Sequence, residues 1–248
     1  MNAVDDYFDK LQKRILNHPG KPIFEALKAY DMSKFILDGN SSQLRQLICL
    51  LEDPKDPAQI GALDQRPRLQ WLFNDVNRHL HNFLTSITTL VDHTRNLMRE
   101  DFIKSEHREE YQNRVNGVFA SDPLTQFLQD LRNYITHYAI PHIGLEEQFG
   151  LTGAGVETIK LFIDLDHLET GFKWSSPSRK FLEINKPQIR MLKLVDDYGL
   201  KSKNFYDELM LTFQKYPGRE LHKVRSMMQE SNNLWTKMME DMDKPKAK

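Results

Sequence analysis

Apolar residues recur at helical spacing along most of this chain, and the longest run predicts one helix from about Arg66 to Asp101. Its apolar stripe consists of Leu69, Leu72, Phe73, Val76, Leu80, Phe83, Leu84, Ile87, Val91, Leu97 and Met98. A band of small polar residues follows another face of this helix: Asn82, Ser86, Thr89, His93 and Asn96. Two interpretations of the band stay open: it fills tight contacts between helices, or it lines a cleft that faces the next helix.

The segment before this helix is predicted to form two or three short helices, separated at HPGKP and DGNSS. It is followed by EDPKDPAQIG, in which Pro54, Pro57 and Gly61 predict a connector. We therefore expect an N-terminal helical segment at residues 1–51, packed on a helical bundle formed by residues 62–248. Cys49 lies in the apolar run LICLL, which predicts a buried and inert thiol.

A second well-defined helix is predicted to begin at Pro123 and to end at Pro141. Ser121 or Asp122 can cap its start, and proline is favoured at the first helical position. Its apolar residues keep helical spacing throughout: Leu124, Phe127, Leu128, Leu131, Tyr134, Ile135 and Tyr138. This pattern predicts an amphipathic helix with one buried face.

A small β-hairpin is predicted directly after this helix, at about residues 142–166. In VETIKLFIDLDHLE, four apolar residues alternate with polar ones, although Phe162 stands on the polar side: Ile159, Leu161, Ile163 and Leu165. The preceding HIGLEEQFGL supplies the other strand, and the glycine-rich LTGAGV between them predicts the turn. The hairpin is therefore an insertion between helices.

Helical spacing returns after the hairpin, from Arg179 to Ile184 and again from about Gln188. Pro217 and Gly218 interrupt it before a last amphipathic helix, which carries Leu221, Val224, Met228, Leu234, Trp235 and Met238. Glycine and proline are sparse, at 11 residues each, as long helices require. The predicted fold class is mainly α, a helical bundle with one small inserted β-hairpin.

Composition and charge exclude several classes of protein. The formal net charge of −1 gives no overall field that attracts nucleic acid, although residues 173–225 carry 12 Lys and Arg against 6 Asp and Glu. The single cysteine excludes an intrachain disulfide framework and a cysteine-rich zinc module. No apolar run approaches the ~18–20 residues of a membrane span and no N-terminal signal region is present, so we expect a cytoplasmic protein without membrane contact.

Three polar residues near the end of the Pro123 helix are candidates for chemistry: Arg132, Asn133 and His137. On a helical wheel Asn133 lies opposite the apolar arc, and Arg132 and His137 flank Asn133 on different sides, about 140° apart. They must therefore face solvent, a neighbouring helix or a second subunit. One helix alone does not bring Arg132 and His137 together.

The stretch RNYITH resembles the R-N-x-x-x-H form of the motif found in the HEPN superfamily. Members of that superfamily are helical-bundle proteins, and many are metal-independent endoribonucleases in toxin–antitoxin, CRISPR and other antiviral systems. The specific resemblance covers about a dozen residues. It implies a HEPN-like bundle in which Arg132, Asn133 and His137 are catalytic, with no cofactor and no metal.

The implied chemistry suits these residue types. RNA cleavage without a metal needs a group that takes the 2′-OH proton and another that protonates the leaving 5′-oxygen, and histidine titrates near neutrality. Arginine presents a planar fork of donors to the charged phosphate. By the same resemblance, two subunits pair their motif helices around one cleft. The partners it implies are RNA, a second copy of the chain, and an antitoxin or defence complex.

Two other functions stay open. The first is a non-catalytic interaction or nucleotide- and RNA-binding protein of similar fold, in which the three polar residues bind phosphate or a partner. The second is a metal-dependent enzyme that uses Asp164 and Asp166, part of an acidic cluster with His167 and Glu169 at the end of the predicted strand. No further ligand group can be identified from the sequence, so a solvated strand end is the favoured interpretation. Trp174 either packs in the core or stacks on a base.

Overall fold

The chain folds into a mainly helical structure with one small antiparallel sheet, which confirms the predicted class. A computed structural model describes residues 3–52, 66–99, 105–149, 156–168, 171–215 and 218–242. The helices are α1 (Ala3–Leu16), α2 (Lys21–Leu51), α3 (Arg66–Arg99), α4 (Ser105–Val115), α5 (Pro123–His137), α6 (Ser176–Asn185), α7 (Met191–Lys215) and α8 (Arg219–Met242). A short π-helix, Asn116–Ala120, follows α4 directly. The strands are β1 (Ile143–Phe149), β2 (Val156–Asp164) and β3 (Gln188–Arg190).

The N-terminal segment forms two helices, and the longer one runs straight through DGNSS. The predicted break at HPGKP is correct, because α1 ends at Leu16 and α2 begins at Lys21. The predicted break at DGNSS is wrong. Buried Leu37, Leu44 and Ile48 continue one apolar stripe across the glycine, and α2 packs along α3. This burial outweighs the roughly 1 kcal/mol that a glycine costs inside a helix.

Cys49 is exposed, so the predicted buried thiol is wrong. The buried face of α2 passes through Ile48 and Leu51, and Cys49 lies about 100° around the helix from Ile48. The neighbouring Leu50 is also outside the core, with 70% of its surface exposed. The five apolar residues of LICLL therefore extend around the helix beyond the face that α2 buries.

The polar band of α3 meets α2. The His93 ring hydrogen-bonds to the Ser33 hydroxyl of α2, and the Asn40 side chain of α2 donates to the Asn82 carbonyl at 3.4 Å. Ser86 is buried and donates to the Phe83 carbonyl of its own helix at 2.7 Å. These contacts favour the interpretation that small polar groups fill a tight helix interface.

The predicted hairpin is present, and a third strand extends it. Strands β1 and β2 are antiparallel with Ile143 opposite Ile163, and the alternating Ile159, Leu161 and Ile163 are buried. The turn predicted at LTGAGV lies outside the described residues. Phe162, the exception on the polar side, lies opposite Gly144, whose missing side chain leaves room for the ring. The apolar Phe162 at this position is therefore explained by its cross-strand pairing with Gly144.

The prediction of helix from Gln188 is wrong for its first three residues, which form β3. Ile189 lies opposite Ile163 and Gln188 opposite Asp164, so β3 covers the far edge of β2. Helix α7 then starts at Met191. The short strand is explained by this pairing between distant segments, which local periodicity does not reveal.

One connected set of buried residues runs from Leu11 in α1 to Val224 in α8. Helix α1 packs against α8, α2 against α3 and α7, and α5 against α3 and α6. The connector EDPKDPAQIG falls almost entirely in residues 53–65, outside the described residues, so the division into residues 1–51 and 62–248 stays a prediction. Among the described helices, none combines the length and the apolar character that crossing a membrane requires.

Candidate functional site

Helix α5 carries the three candidate residues, and its start is fixed as the sequence predicts. The Asp122 carboxylate accepts hydrogen bonds from the backbone N–H of Thr125 at 2.8 Å and from its hydroxyl at 2.7 Å, and Pro123 occupies the first turn. Lys201 of α7 forms an ion pair with Asp122 at 2.5 Å. Burial alone would raise the pKa of the Asp122 carboxyl, but these hydrogen bonds and the Lys201 ammonium hold the pKa below its ordinary value. The helix ends at His137, four residues before Pro141.

Arg132 lies half-buried at the side of α5. Its Nη1 donates to the Asn133 side-chain oxygen at 3.1 Å, while its buried Nε has no hydrogen-bond partner among the described residues. Within that same part of the chain, no carboxylate pairs with the guanidinium. Because the guanidinium stays charged, its Nη donors outside the bond to Asn133 can meet an anion, whereas the buried Nε cannot.

His137 is exposed on the last turn of α5. In the described ranges, no carboxylate or other side chain holds its ring. Asn133 is exposed as well, so the face that the helical wheel assigns to solvent is outside the core. No hydrogen bond joins Arg132 to His137 in the described residues, and five residues of helix separate them by about 7.5 Å along the axis. One copy of the chain therefore presents the two groups separately.

Exposed cations lie on the segment that packs against α5. Lys173 precedes α6, Arg179 and Lys180 lie within it, and α6 packs on α5. No carboxylate among the described residues forms an ion pair with any of these three. They add positive charge to the side of α5 that carries Asp130, about 160° around the helix from Arg132.

Six of the other nine Lys and Arg residues in 173–225 are paired with carboxylates. Ion pairs of 4.0 Å or less join Lys186 to Asp166, Lys193 to Asp197, Lys201 to Asp122, Lys203 to Asp207, Lys223 to Glu220 and Arg190 to Glu52. Their charges are therefore shared with carboxylates. Lys173, Arg179 and Lys180, in contrast, form no ion pair with the described residues and can bind phosphate.

Trp174 is half-buried and packs against α5. Its indole stacks on Phe127 at 5.8 Å and on Tyr134 at 5.6 Å between ring centroids. Next to it, the Asp130 carboxylate accepts hydrogen bonds from the backbone N–H of Ser175 at 2.8 Å and from the Ser178 hydroxyl at 2.6 Å. These contacts fix α6 against α5 and favour the interpretation of Trp174 as a packing residue.

A second polar cluster lies where the hairpin begins and ends, and the sequence predicted only part of it. His142, just before β1, joins Asp164 at the end of β2 and His167 in the following turn, and one ligand atom from each lies within 4.8 Å of the other two. Asp166, paired in the sequence hypothesis with Asp164, forms an ion pair with Lys186 instead. Glu169, the remaining member of the predicted acidic cluster, lies outside the described residues. His142 could not be assigned from sequence, because only the pairing of β1 with β2 brings it to Asp164.

Asp164 is the centre of this second cluster. Its Oδ1 accepts backbone hydrogen bonds from Asp166 at 3.0 Å and His167 at 3.1 Å, and its Oδ2 lies 2.6 Å from His167 Nδ1. Burial alone would raise the pKa of the Asp164 carboxyl, but the hydrogen bonds from His167 outweigh it and the pKa is lowered. The carboxylate is thus held ionised between two imidazoles.

Comparison of the whole sequence with protein-family models, with curated proteins and with solved structures found no match. The resemblance to the HEPN superfamily therefore depends on the residues of the RNYITH stretch. The function of Arg132, Asn133 and His137 stays a prediction.

Proposed function

We propose that the chain is a metal-independent endoribonuclease of HEPN type, whose active site is formed by Arg132, Asn133 and His137 from two paired copies. The observation that carries this proposal is that neither Arg132 nor His137 is neutralised by a carboxylate in the described residues. Other surface cations, such as Arg179 and His222, also have no acidic partner among the described residues; Arg132 differs from them in being half-buried. These two remain available for a phosphate.

Arg132 binds the scissile phosphate in this proposal. Its partial burial limits the motion of the side chain, and the hydrogen bond to Asn133 at 3.1 Å orients the guanidinium. A fixed cation stabilises the additional negative charge that develops on the phosphoryl oxygens in the transition state. Lys173, Arg179 and Lys180, on the Asp130 side of α5, bind phosphates farther along the RNA, which positions the RNA without reading its sequence.

His137 transfers protons. The neutral imidazole of one copy takes the proton of the 2′-OH, whose oxygen forms a bond to phosphorus, while the P–O5′ bond breaks. The protonated imidazole of the other copy gives a proton to the leaving 5′-oxygen. The products are a 2′,3′-cyclic phosphate and a 5′-hydroxyl. Two copies are needed because one chain supplies a single His137 and presents it apart from Arg132.

The test is cleavage of labelled RNA in EDTA by the wild type and by His137→Ala and Arg132→Ala. Removing the general acid–base should reduce the rate by about 10²–10⁴-fold. Removing the cation should reduce it by about 10²–10³-fold. Matched controls are His222→Ala and Arg219→Ala, both exposed on α8, which should cleave at the wild-type rate.

Equal rates for the wild type and His137→Ala would contradict the proposal, because the activity would then come from another site. Circular dichroism and urea unfolding of every variant establish that a lost rate is not a lost fold. No cleavage of several RNAs by the wild type, with salt-sensitive RNA binding that Arg132→Ala weakens, would favour the non-catalytic binding protein. A role as a toxin or antiviral effector follows only from the family resemblance.

A further inference from the structure

Three potential metal ligands converge at the base of the hairpin, outside the proposed RNA site. His142 precedes β1, Asp164 ends β2, and His167 follows in the turn after β2. Each offers one ligand atom, and the three atoms lie within 4.8 Å of one another. The imidazole ring centroids of His142 and His167 are 5.3 Å apart, with Asp164 Oδ2 within 4.0 Å of Nδ1 in both rings.

We propose that His142, Asp164 and His167 form a binding site for one divalent transition-metal ion, with Zn²⁺ the best match. Two imidazole nitrogens and one carboxylate oxygen are the ligand set that such ions prefer, whereas Mg²⁺ and Ca²⁺ prefer oxygen alone. The three ligands include none of the residues of the proposed ribonuclease site, so the metal site does not depend on the ribonuclease activity.

The spacing of the ligand atoms is close to what an ion requires. Asp164 Oδ2 lies 2.6 Å from His167 Nδ1 and 3.8 Å from His142 Nδ1. Ligands bound to zinc at 2.0–2.1 Å in tetrahedral geometry are about 3.3 Å apart. The two distances from Asp164 Oδ2 thus bracket the ligand separation in a zinc site, and both imidazoles are exposed enough to rotate.

The backbone holds the central ligand in place. Asp164 Oδ1 is occupied by the backbone N–H groups of Asp166 and His167, which directs Oδ2 towards the two rings. The Asp164 N–H donates to the His142 carbonyl at 3.0 Å, and this bond couples the end of β2 to the residue before β1. Such hydrogen bonds to a ligating carboxylate orient it and raise metal affinity.

The site is open to solvent on the side of the imidazoles. The side chains of His142 and His167 are 64% and 69% exposed, while Asp164 is 20% exposed. Three protein ligands leave a fourth position of a tetrahedral ion for water or for an exchangeable ligand. This differs from a closed structural zinc site, in which the protein supplies all four ligands.

The test is titration of the full chain, without RNA, with Zn²⁺ by calorimetry and with Co²⁺ by visible absorption. We expect one ion per chain and the absorption bands of nitrogen- and oxygen-coordinated Co²⁺. Substitutions His142→Ala, His167→Ala and Asp164→Asn should each weaken binding by about tenfold or more. Asp164→Asn retains an oxygen that can accept the two backbone hydrogen bonds, so the turn should persist.

Two substitutions serve as matched controls. Asp197→Asn changes an exposed carboxylate of α7 that pairs with Lys193, and His222→Ala removes an exposed histidine of α8; both should bind as the wild type does. Absence of binding at micromolar Zn²⁺, or binding that the His142 and His167 substitutions leave unchanged, would overturn the proposal. Because this measurement contains no RNA, its result is separate from that of the cleavage assay in EDTA.

Discussion

Arg132 and His137 lie five residues apart on α5, and their surroundings differ. Arg132 is half-buried beside Asn133, whereas His137 is exposed at the helix end. A half-buried guanidinium is already partly dehydrated and binds an anion in a restricted orientation. An exposed imidazole meets a substrate or a second copy of the chain without rearrangement of the core. At the residue scale, the two side chains thus suit binding and proton transfer respectively.

Cys49 provides a prediction on exposure. Because the thiol lies off the buried face of α2, we expect it to react fully with a disulfide reagent in the folded protein. The measurement is release of the coloured thiol product in buffer, compared with release in concentrated urea. One rapid equivalent in both conditions is the expected result. A thiol that reacts only after unfolding would place Cys49 in the core, as its apolar sequence neighbours suggest.

The burial or contacts of a residue can be predicted from sequence when its own helix or strand determines them, and not when a distant segment does. The spacing of Leu128, Leu131 and Tyr134 fixes the buried face of α5 and hence the exposure of Asn133, which the structure confirms. The position of His142 beside Asp164 depends on strand pairing between segments about 20 residues apart in sequence. Helical periodicity carries no information on that contact.

At the scale of elements, Asp130 joins α5 to the start of α6. Its carboxylate accepts from the Ser175 N–H and the Ser178 hydroxyl, so Asp130→Ala leaves that N–H without its acceptor and the Ser178 hydroxyl with only the Ser175 hydroxyl. We expect a loss of about 2–3 kcal/mol in the free energy of unfolding, measured by urea denaturation. The control is Asp92→Ala, which breaks an exposed pair with Arg95 at 3.4 Å and should cost under about 1 kcal/mol. Equal losses for the two variants would show that Asp130 does not anchor α6.

Two glycines in different elements should respond to alanine with opposite signs. A Cβ added at Gly144 in β1 would lie 2.7 Å from Cε2 of Phe162, so Gly144→Ala forces the ring from its place. Because the ring is half-buried and can shift, we expect a destabilisation of about 0.2–1 kcal/mol from the lost packing on the glycine. A Cβ at Gly39 in α2 meets no atom within 4 Å, and Gly39→Ala should stabilise the fold by about 1 kcal/mol.

Urea unfolding of these two variants measures both changes. Stabilisation by Gly144→Ala would mean that Phe162 does not cover that glycine. Destabilisation by Gly39→Ala would mean that α2 is interrupted at DGNSS, as the sequence pattern alone predicts. The pair therefore tests the hairpin and the continuous helix in one experiment.

Elements with strong internal periodicity were predictable, and elements defined by distant partners were not. Helix α3 was predicted from its apolar stripe and ends within two residues of the predicted Asp101. The continuity of α2 and the existence of β3 were missed, because tertiary packing decides both. Gly39 and Asn40 favour a break locally, but contact with α3 outweighs them. Ile189 becomes a strand residue because it meets Ile163.

For the whole molecule, the core contains tyrosines that resist ionisation. Burial raises the pKa of Tyr30, Tyr198 and Tyr206 above the ordinary tyrosine value. As pH rises through about 10, the unfolded chain loses these protons while the folded chain keeps them. The stability they contribute is therefore complete below about pH 10 and is lost above it. Three such groups should lower the free energy of unfolding by about 4 kcal/mol for each further pH unit.

Urea unfolding at a series of pH values from 8 to 11 measures this slope. Tyr198→Phe removes one of the buried hydroxyls, so the slope above pH 10 should fall by about 1.4 kcal/mol per pH unit. A wild-type stability that does not change between pH 10 and 11 would contradict the burial of these side chains. Ultraviolet absorbance of ionised tyrosine, followed in parallel, separates titration of the folded protein from unfolding.

The measurement that tests the central proposal most directly is the chemistry of the RNA ends produced in EDTA by the wild type and by His137→Ala. We expect 2′,3′-cyclic phosphate and 5′-hydroxyl ends from the wild type and none from the variant, because the 2′-oxygen is the nucleophile and His137 transfers the protons. No cleavage in EDTA, together with cleavage that leaves 5′-phosphate ends when Mg²⁺ replaces EDTA, would contradict the proposal. That result would assign the chemistry to a metal ion instead.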